Sequence, residues 1–201
     1  MTSLRHNDDG GPQSAYLDAA RACILDVGWR RTTLTEVARR AGVSRMTIYR
    51  AWPDMPTVLG DLMTREWGAV VARAVAEADA TRTTATAADR LVAEVVATCR
   101  ALRDNELFVR IVELDAELLL PYLLTRRGRS QQAVADLVAG RIREGQGDGS
   151  IREGRPDAMA RALLLAMHGF VLSLHTMVDD DVEESDLDEE LEQLVRRAVT
   201  R

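Results

Sequence analysis

The chain has no lysine. All 26 positions counted as lysine or arginine are arginine, so every fixed positive charge is a guanidinium. This reads first as a base-composition bias of the coding DNA and only second as chemistry. It leaves no Gly-Lys-Ser/Thr phosphate loop, and the glycine-rich stretch Gln146–Gly154, which follows a helical pattern and carries Asp148, reads as a linker. Aromatic residues are scarce at 4%, and Ala, Leu, Val and Arg dominate, a composition suited to helices packed through small aliphatic side chains. Cysteine occurs only at Cys23 and Cys99, in separate helical patterns with apolar neighbours. The two read as buried thiols of a reducing cytoplasm, not as a disulfide. Met1–Pro12 is polar and shows no signal peptide. The most apolar window, Ala158–Val178, is interrupted by Arg161, His168 and His175, which makes it a weak membrane candidate. Neither a serine elbow nor paired carboxylates stand on an expected loop, and neither cysteine has a base nearby in sequence, so nothing argues for an enzyme. His168 and His175 lie about two turns, some 10 Å, apart on one helix, too far to share a metal without further ligands. Each reads as a core or pocket-lining histidine, and no metal or cofactor is expected.

What is present is concentrated in one stretch, Thr32–Trp52. Leu34, Val37, Ala38 and Ala41 recur at the spacing of a helix with one buried face, and Thr33 and Glu36 have the Ser/Thr-x-x-Glu spacing of a reciprocal capping box. Gly42 ends that helix, Val43 packs under the corner, and Ser44 caps a second helix from Arg45 to about Ala51, which Pro53 stops. Successive residues 100° apart put Ile48 and Trp52 on one side and Met46, Thr47, Tyr49 and Arg50 on the opposite arc. That outer face suits a major groove: Arg bonds guanine edges or phosphates, Thr and Met meet thymine methyls, and a Tyr hydroxyl holds a phosphate. Residues 29–52 hold Arg30, Arg31, Arg39, Arg40, Arg45 and Arg50 against Glu36, a charge of +5 in a chain of net −6, so the remainder carries −11. An acidic protein with one basic patch keeps a single end for nucleic acid.

Thr32–Trp52 followed by Pro53–Leu59 resembles the DNA-binding domain of TetR-type transcriptional repressors: a Thr pair, a helix, Ala-Gly-Val-Ser, a short recognition helix with an aromatic end, and a fourth helix soon after. The likeness spans about residues 14–60, and the loop Gln146–Arg152 is similar to the linker such proteins often carry. It departs at Met46, where the family often has glycine, and at Met55, where a lysine often makes a phosphate contact. The resemblance implies a homodimer that represses transcription from a partly palindromic double-stranded DNA operator. It also implies a small molecule that enters the C-terminal domain and releases the DNA, and a four-helix dimer interface from the last two helices of each subunit. The residues expected at DNA are Thr33, Ser44, Arg45, Met46, Thr47, Tyr49 and Arg50. Two other readings stay open at this point: a DNA-binding regulator without a small-molecule ligand, and, less favoured, a helical-bundle enzyme.

Along the rest of the chain the expected architecture is all-α. Residues 1–12 read as a disordered tail, residues 13–60 as a helix-turn-helix DNA-binding domain, and residues 61–201 as a regulatory and dimerisation domain. A first helix, Gln13–Val27, completes a three-helix head above Trp29. The helix capped by Asp54 runs on through Val75, so the domain boundary falls inside it and makes it a stiff lever. Beyond the Thr-rich link Thr81–Thr86, helices are expected over Ala88–Leu102, from Asn105 to Leu114, over Glu117–Leu124, over Ser130–Glu144, from Pro156 and over Asp186–Thr200. Arg126, Arg127 and Arg129 read as a solvated cluster, and the nine acids of Asp179–Glu190 as a solvated loop and helix start. The helix after Pro156 is apolar nearly all round, so a second copy is its natural cover; Leu163, Leu164 and Val171 on it, with Leu187, Leu191 and Leu194 on the last helix, are the expected dimer interface. Met63, Trp67, Phe108, Tyr122 and Met167, with the isolated polar atoms of His168 and Cys99, are expected to line a site for an apolar or amphipathic small molecule.

Overall fold

A computed structural model describes residues 11–81 and 86–200; residues 1–10, where the tail is expected, and 82–85 of the Thr-rich link lie outside the described residues. The regular elements among the described residues are all helical, in keeping with the expected all-α class: α1 Pro12–Val27, α2 Leu34–Arg40, α3 Arg45–Ala51, α4 Met55–Thr81, α5 Ala87–Arg103, α6 Glu106–Asp115, α7 Leu120–Leu124, α8 Arg129–Gly147, α9 Pro156–Leu172 and α10 Glu184–Val199. Three 3-10 turns, Trp29–Arg31, Ala116–Leu118 and Leu174–Thr176, follow α1, α6 and α9. None of the described helices is long and apolar enough to cross a membrane.

Local chemistry starts and stops these helices. Pro12 opens α1 where a missing N–H costs nothing, and Gly28, at φ 82°, closes it by donating its N–H to the Ile24 carbonyl at 2.8 Å. Thr33 Oγ1 accepts from the Glu36 N–H at 3.2 Å, which caps α2. The reciprocal bond predicted from the capping-box spacing does not form, because the Glu36 carboxylate turns to the Arg39 guanidinium at 2.5 Å; an ionised donor outcompetes a neutral amide. Gly42, at φ 67°, makes the left-handed corner, and Ser44 Oγ accepts from the Thr47 N–H at 3.2 Å to start α3. Asp54 caps α4 through the Thr57 N–H at 2.8 Å, and Asn105 caps α6 through the Phe108 N–H at 3.0 Å. Pro121 sits in the first turn of α7, so the single short helix expected over Glu117–Leu124 is divided into a 3-10 turn and α7.

Two cores result. Ile24, Val37, Ile48, Trp52, Val58 and Leu62 fill the first, and Leu107, Phe108 and Ile111 of α6 belong to the same cluster, so the apolar interior of the head continues past residue 60 into α6. Asp115, 3% exposed, fixes the join: it accepts from the Trp29 N–H at 2.9 Å and faces Arg30, which also bonds Glu117. The second core lies among α5, α8, α9 and α10 and holds Leu91, Val92, Val95, Ile142, Ala160, Leu191 and Val195. Leu163 and Leu191, expected between chains, are 4% and 0% exposed inside this core, because α9 and α10 turn those faces onto α5. The outward faces of the same helices show Leu165 and Leu194, 71% and 47% exposed.

Two stretches read as solvent-facing or idle do more. In the loop after α8, Asp148 and Ser150 accept from the Ala87 and Ala88 N–H groups that open α5, and Arg152 donates to the Val199 and Ala198 carbonyls that end α10. Within the acidic run, Asp188 is 5% exposed and takes Arg100 Nε at 2.6 Å and Arg103 Nη2 at 2.8 Å. The helical period that places Leu191, Val195 and Val199 inward places Asp188 inward too. Asp188→Ala should therefore cost about 3 kcal/mol or more, as expected for a buried pair robbed of one partner, whereas Glu190→Ala on the exposed face should cost less than about 0.5 kcal/mol. Urea unfolding of the two variants checks this; equal losses would place Asp188 in solvent.

Candidate nucleic-acid interface and buried cavity

The buried side of α3 is set by Ile48 and Trp52, 0% and 3% exposed, and the opposite side projects away from the body. Arg45, Met46, Tyr49 and Arg50 stand exposed on it, Met46 at 62% and Tyr49 at 46%. Thr47 is half-buried, with its hydroxyl 2.9 Å from that of Ser44, so it offers chiefly its methyl group outward. Thr33 and Ser44 are exposed at the starts of α2 and α3; each hydroxyl oxygen is already accepting from its own helix and keeps a proton to give. All seven residues expected at DNA thus lie on one surface built by α2, α3 and the turn between them.

The positive charge of that surface is narrower than the count of arginines implies. Arg30 is held by Glu117, Arg39 by Glu36 and Arg40 by Asp26, and Arg31 Nε donates to the Val27 carbonyl. The Arg39 guanidinium in turn holds the Glu36 carboxyl below its ordinary range. Among the described residues only Arg45 and Arg50, of the six, have neither a carboxylate nor a carbonyl partner. Uncompensated positive charge is therefore focused on α3, where a phosphate backbone following a groove would meet it.

A second feature lies beneath the head. A cavity of about 430 Å³ is walled by α4, α5, α6, α7, α8 and α9 and reaches Asp54, Pro56, Thr57 and Gly60 at the start of α4. Of the residues expected to line it, Met63, Trp67, Phe108, Tyr122, Met167 and His168 do so, with the Trp67 and Phe108 rings edge to face at 5.7 Å. Cys99 does not: it is 0% exposed in the core among α5, α8, α9 and α10, where burial pushes its thiol up to about 12. At neutral pH it stays protonated and inert. Leu164 and Val171, expected between chains, line this cavity; Leu187 is half-buried on α10. Among the described residues no group of three or more His, Cys, Asp or Glu side chains is placed to hold a metal ion.

His168 is already partnered. The Gln131 amide accepts from the Gly128 N–H at 2.8 Å, which fixes its orientation, and its nitrogen donates to the Tyr122 carbonyl and meets His168 Nε2, each at 3.2 Å. An amide nitrogen only donates, so His168 Nε2 must accept and the ring is neutral. Burial, which lowers the imidazole's proton affinity, favours the same state. The cavity wall also contains Arg126, Arg127, Arg129, Gln131 and Thr98, which periodicity does not mark as inward. The arginine cluster is visible in the sequence, but only the packing of α8 against α4 turns it toward the cavity.

Residues 17–60 match the model for bacterial regulatory proteins of the tetR family. Over 184 residues the chain is 34% identical to an uncharacterized HTH-type transcriptional regulator of Mycobacterium bovis, spanning 90% of this chain and 88% of that one. Its fold is similar to that of the R. erythropolis transcriptional repressor QsdR from the TetR family, with a TM-score of 0.66 at 15% identity over 94% of this chain and 96% of that one. It is also similar to the transcriptional regulator FadR from Bacillus subtilis in complex with stearoyl-CoA, with a TM-score of 0.62 at 18% identity over 92% and 98% of the two chains.

The pairing pattern makes a differential prediction about charge. Arg45→Ala and Arg50→Ala should each weaken binding to duplex DNA and lower the slope of log K against log salt by about 1, the signature of a lost phosphate contact. Arg39→Ala, which removes a guanidinium already neutralised by Glu36, should change the slope by much less. Titrations of one duplex at several salt concentrations decide it, and equal slopes for Arg39→Ala and Arg50→Ala would show that the pairing does not govern the interface.

Proposed function

The chain belongs to the tetR family of bacterial regulatory proteins and is a transcriptional regulator with a DNA-binding helix-turn-helix; from that premise we propose that it is a ligand-released repressor acting as a homodimer. Residues 13–60 form the DNA-binding head in this reading, and residues 61–201 the regulatory and dimerisation part. Met46 and Thr47 face the bases of a partly palindromic operator, while Thr33, Ser44, Arg45, Tyr49 and Arg50 hold its phosphates. The regulator works in the cytoplasm, where its DNA is.

One observation carries the reading: the cavity is walled by α4 from Asp54 to Val71, and the first turns of that same helix pack into the core of the head through Val58, Leu59 and Leu62. A molecule that fits only one setting of α4 must therefore favour one setting of the head, and its differential affinity is the whole of its effect on DNA binding. The wall is apolar over most of its extent and carries sparse polar groups, the usual make-up of a small-molecule site. A protein of similar fold was crystallised with stearoyl-CoA. Apolar or amphipathic compounds that raise the melting temperature should weaken binding to duplexes selected by the protein from random DNA. Trp67→Ala should alter that response while leaving ligand-free DNA affinity within about twofold, since Trp67 lies on α4 beyond Leu62 and Met63, the last residues of that helix buried in the core of the head. Stabilising compounds that never alter DNA binding would leave the C-terminal part a scaffold only.

Dimerisation rests on the outward faces of α9 and α10. Leu165 and Leu194 are exposed there, and two heads must be tied together to meet half-sites about one helical turn, or a multiple, apart. Leu165→Glu or Leu194→Glu should leave the helical fold intact, because each side chain points outward in one chain, yet give monomers in light scattering and lose operator binding. A monomeric unmutated protein at micromolar concentration would overturn the homodimer.

A further inference from the structure

Arg126, Arg127 and Arg129 stand exposed on the cavity wall where α7 meets α8, across from the exposed start of α4, so they form its rim. The floor is apolar and buried, with Met63, Phe108 and Met167 below 9% exposure. Arg126 bonds the neutral Tyr122 hydroxyl at 3.4 Å and lies 4.9 Å over its ring; Arg127 bonds the neutral Gln132 amide at 2.5 Å. Neither has a carboxylate partner among the described residues. The rim carboxylate of Asp54 is occupied as the cap of α4, taking the Thr57 N–H and hydroxyl at 2.8 and 2.6 Å. Arg129 differs: it pairs with Asp61, whose other oxygen accepts the indole N–H of Trp52 at 2.7 Å. Trp52 directly follows α3, gives its backbone N–H to the Ile48 carbonyl at 2.9 Å and stacks edge-on to Tyr16 of α1 at 6.3 Å.

We infer that the cavity receives an amphipathic anion, with its apolar body against the floor and its carboxylate or phosphate held at the rim by Arg126 and Arg127, beside the Arg129–Asp61–Trp52 chain that leads to the recognition helix. The inference rests on the ligand-release reading and names the chemistry of its ligand. A buried floor without a counter-charge rejects an ion, while a rim open to water on one side accepts it, so the polarity of the ligand must follow that of the site. Guanidinium forks match the planar oxygens of a carboxylate or phosphate, and hydrogen bonds between ionised partners are the strong ones. An anion seated there competes with Asp61 for Arg129. Once Arg129 turns to the ligand, the tie between α8 and the first turns of α4 is gone and Asp61 keeps only Trp52. The head is then released from the body at the residue that ends α3.

Calorimetry with four probes of equal chain length separates the possibilities: decanoate, decyl phosphate, 1-decanol and decyltrimethylammonium, each below its micelle threshold, with inorganic phosphate alone as a fifth. The two anions should bind the full-length protein roughly tenfold or more tighter than the alcohol, the step expected of a charge-assisted bond, and the cation should bind weakest. Arg126→Gln combined with Arg127→Gln should erase the preference for anions and leave decanol binding unchanged. Decanol or the cation binding as tightly as the anions overturns the inference and leaves ligand release standing; so does inorganic phosphate binding as tightly as decyl phosphate, and binding by none of the probes. Anions that bind with the expected preference but leave affinity for the selected DNA unchanged overturn ligand release itself. For the relay, Trp52→Phe removes the indole donor together with part of a buried ring and should cut the decanoate-induced loss of DNA affinity at least tenfold, with decanoate binding retained. Asp61→Asn keeps a single acceptor oxygen, loses the charge that pairs with Arg129, and should lower ligand-free DNA affinity toward the liganded level. Circular dichroism of both variants separates a lost relay from a lost fold, and a wild-type response in both removes the relay.

Discussion

Helix α4 is buried by different partners along its length, and the rest of the molecule is arranged around that constraint. Its first turns put Val58, Leu59, Leu62 and Met63 into the core of the head; farther on, Val70 and Ala74 are sealed against the body. At 27 residues it is about 40 Å long. A straight helix of that length cannot satisfy a new setting at one end without moving the other, because packed interiors adopt discrete arrangements and do not deform continuously. The cavity lies along the first two-thirds of this helix, from its start at the head to Val71, and so spans the join between the two sets of contacts.

Electrostatics sharpens the same division. Arginine supplies all the fixed positive charge, and much of it ties elements together: Arg21 and Arg65 join α1 to α4, Arg30 joins the head to Asp115 and Glu117, and Arg100 and Arg103 hold α10 on α5. Guanidiniums bonded to partly buried carboxylates act as connectors, since removing either partner strands a charge away from water. Against this background four arginines without a carboxylate partner among the described residues stand out by position. Arg45 and Arg50 lie on α3, and Arg126 and Arg127 lie on the cavity rim. Arginine without a carboxylate partner thus stands at both surfaces to which the proposed function brings an anion, the operator phosphates and the acid head of the ligand.

The head was legible in the sequence because its signals are local. Thr33, Gly42, Ser44 and Pro53 each act within a few residues, and the 3.6 period assigns Ile48 and Trp52 to the inside whatever lies elsewhere. The body was legible as helices but not as faces. Periodicity marks α9 as apolar nearly all round, yet it cannot say that Leu163 turns to α5, Leu164 to the cavity and Leu165 to the outside, because that depends on how α9 is rotated between α5 and α8. The same holds for Cys99 and Asp188, drawn inward by neighbours almost ninety positions away in one case. It holds too for Arg126, Arg127 and Arg129, whose role is decided by the docking of α8 on α4. The missing half of the α2 capping box is a smaller instance: spacing permits it, and a competing ion pair one turn along prevents it.

The two parts of the cavity need not contribute equally to control. Burying an apolar body on the floor stabilises a complex by about 25 cal/mol per Å², and much of that surface is shared by any setting of α4, so it raises affinity without choosing between states. Only interactions that differ between states shift the population, and a 100-fold change in DNA affinity needs about 2.7 kcal/mol of difference. A charge-assisted bond contributes about 1.5–3 kcal/mol where water is excluded and up to about 1 kcal/mol where both groups are exposed, so the rim supplies part of that difference. At the rim such a bond is made at the expense of one that holds α8 to α4, so it belongs to one state and not the other. An apolar floor that selects for size and a charged rim that selects between conformations would let one chain tune how tightly it binds its ligand and how strongly it answers as nearly separate properties.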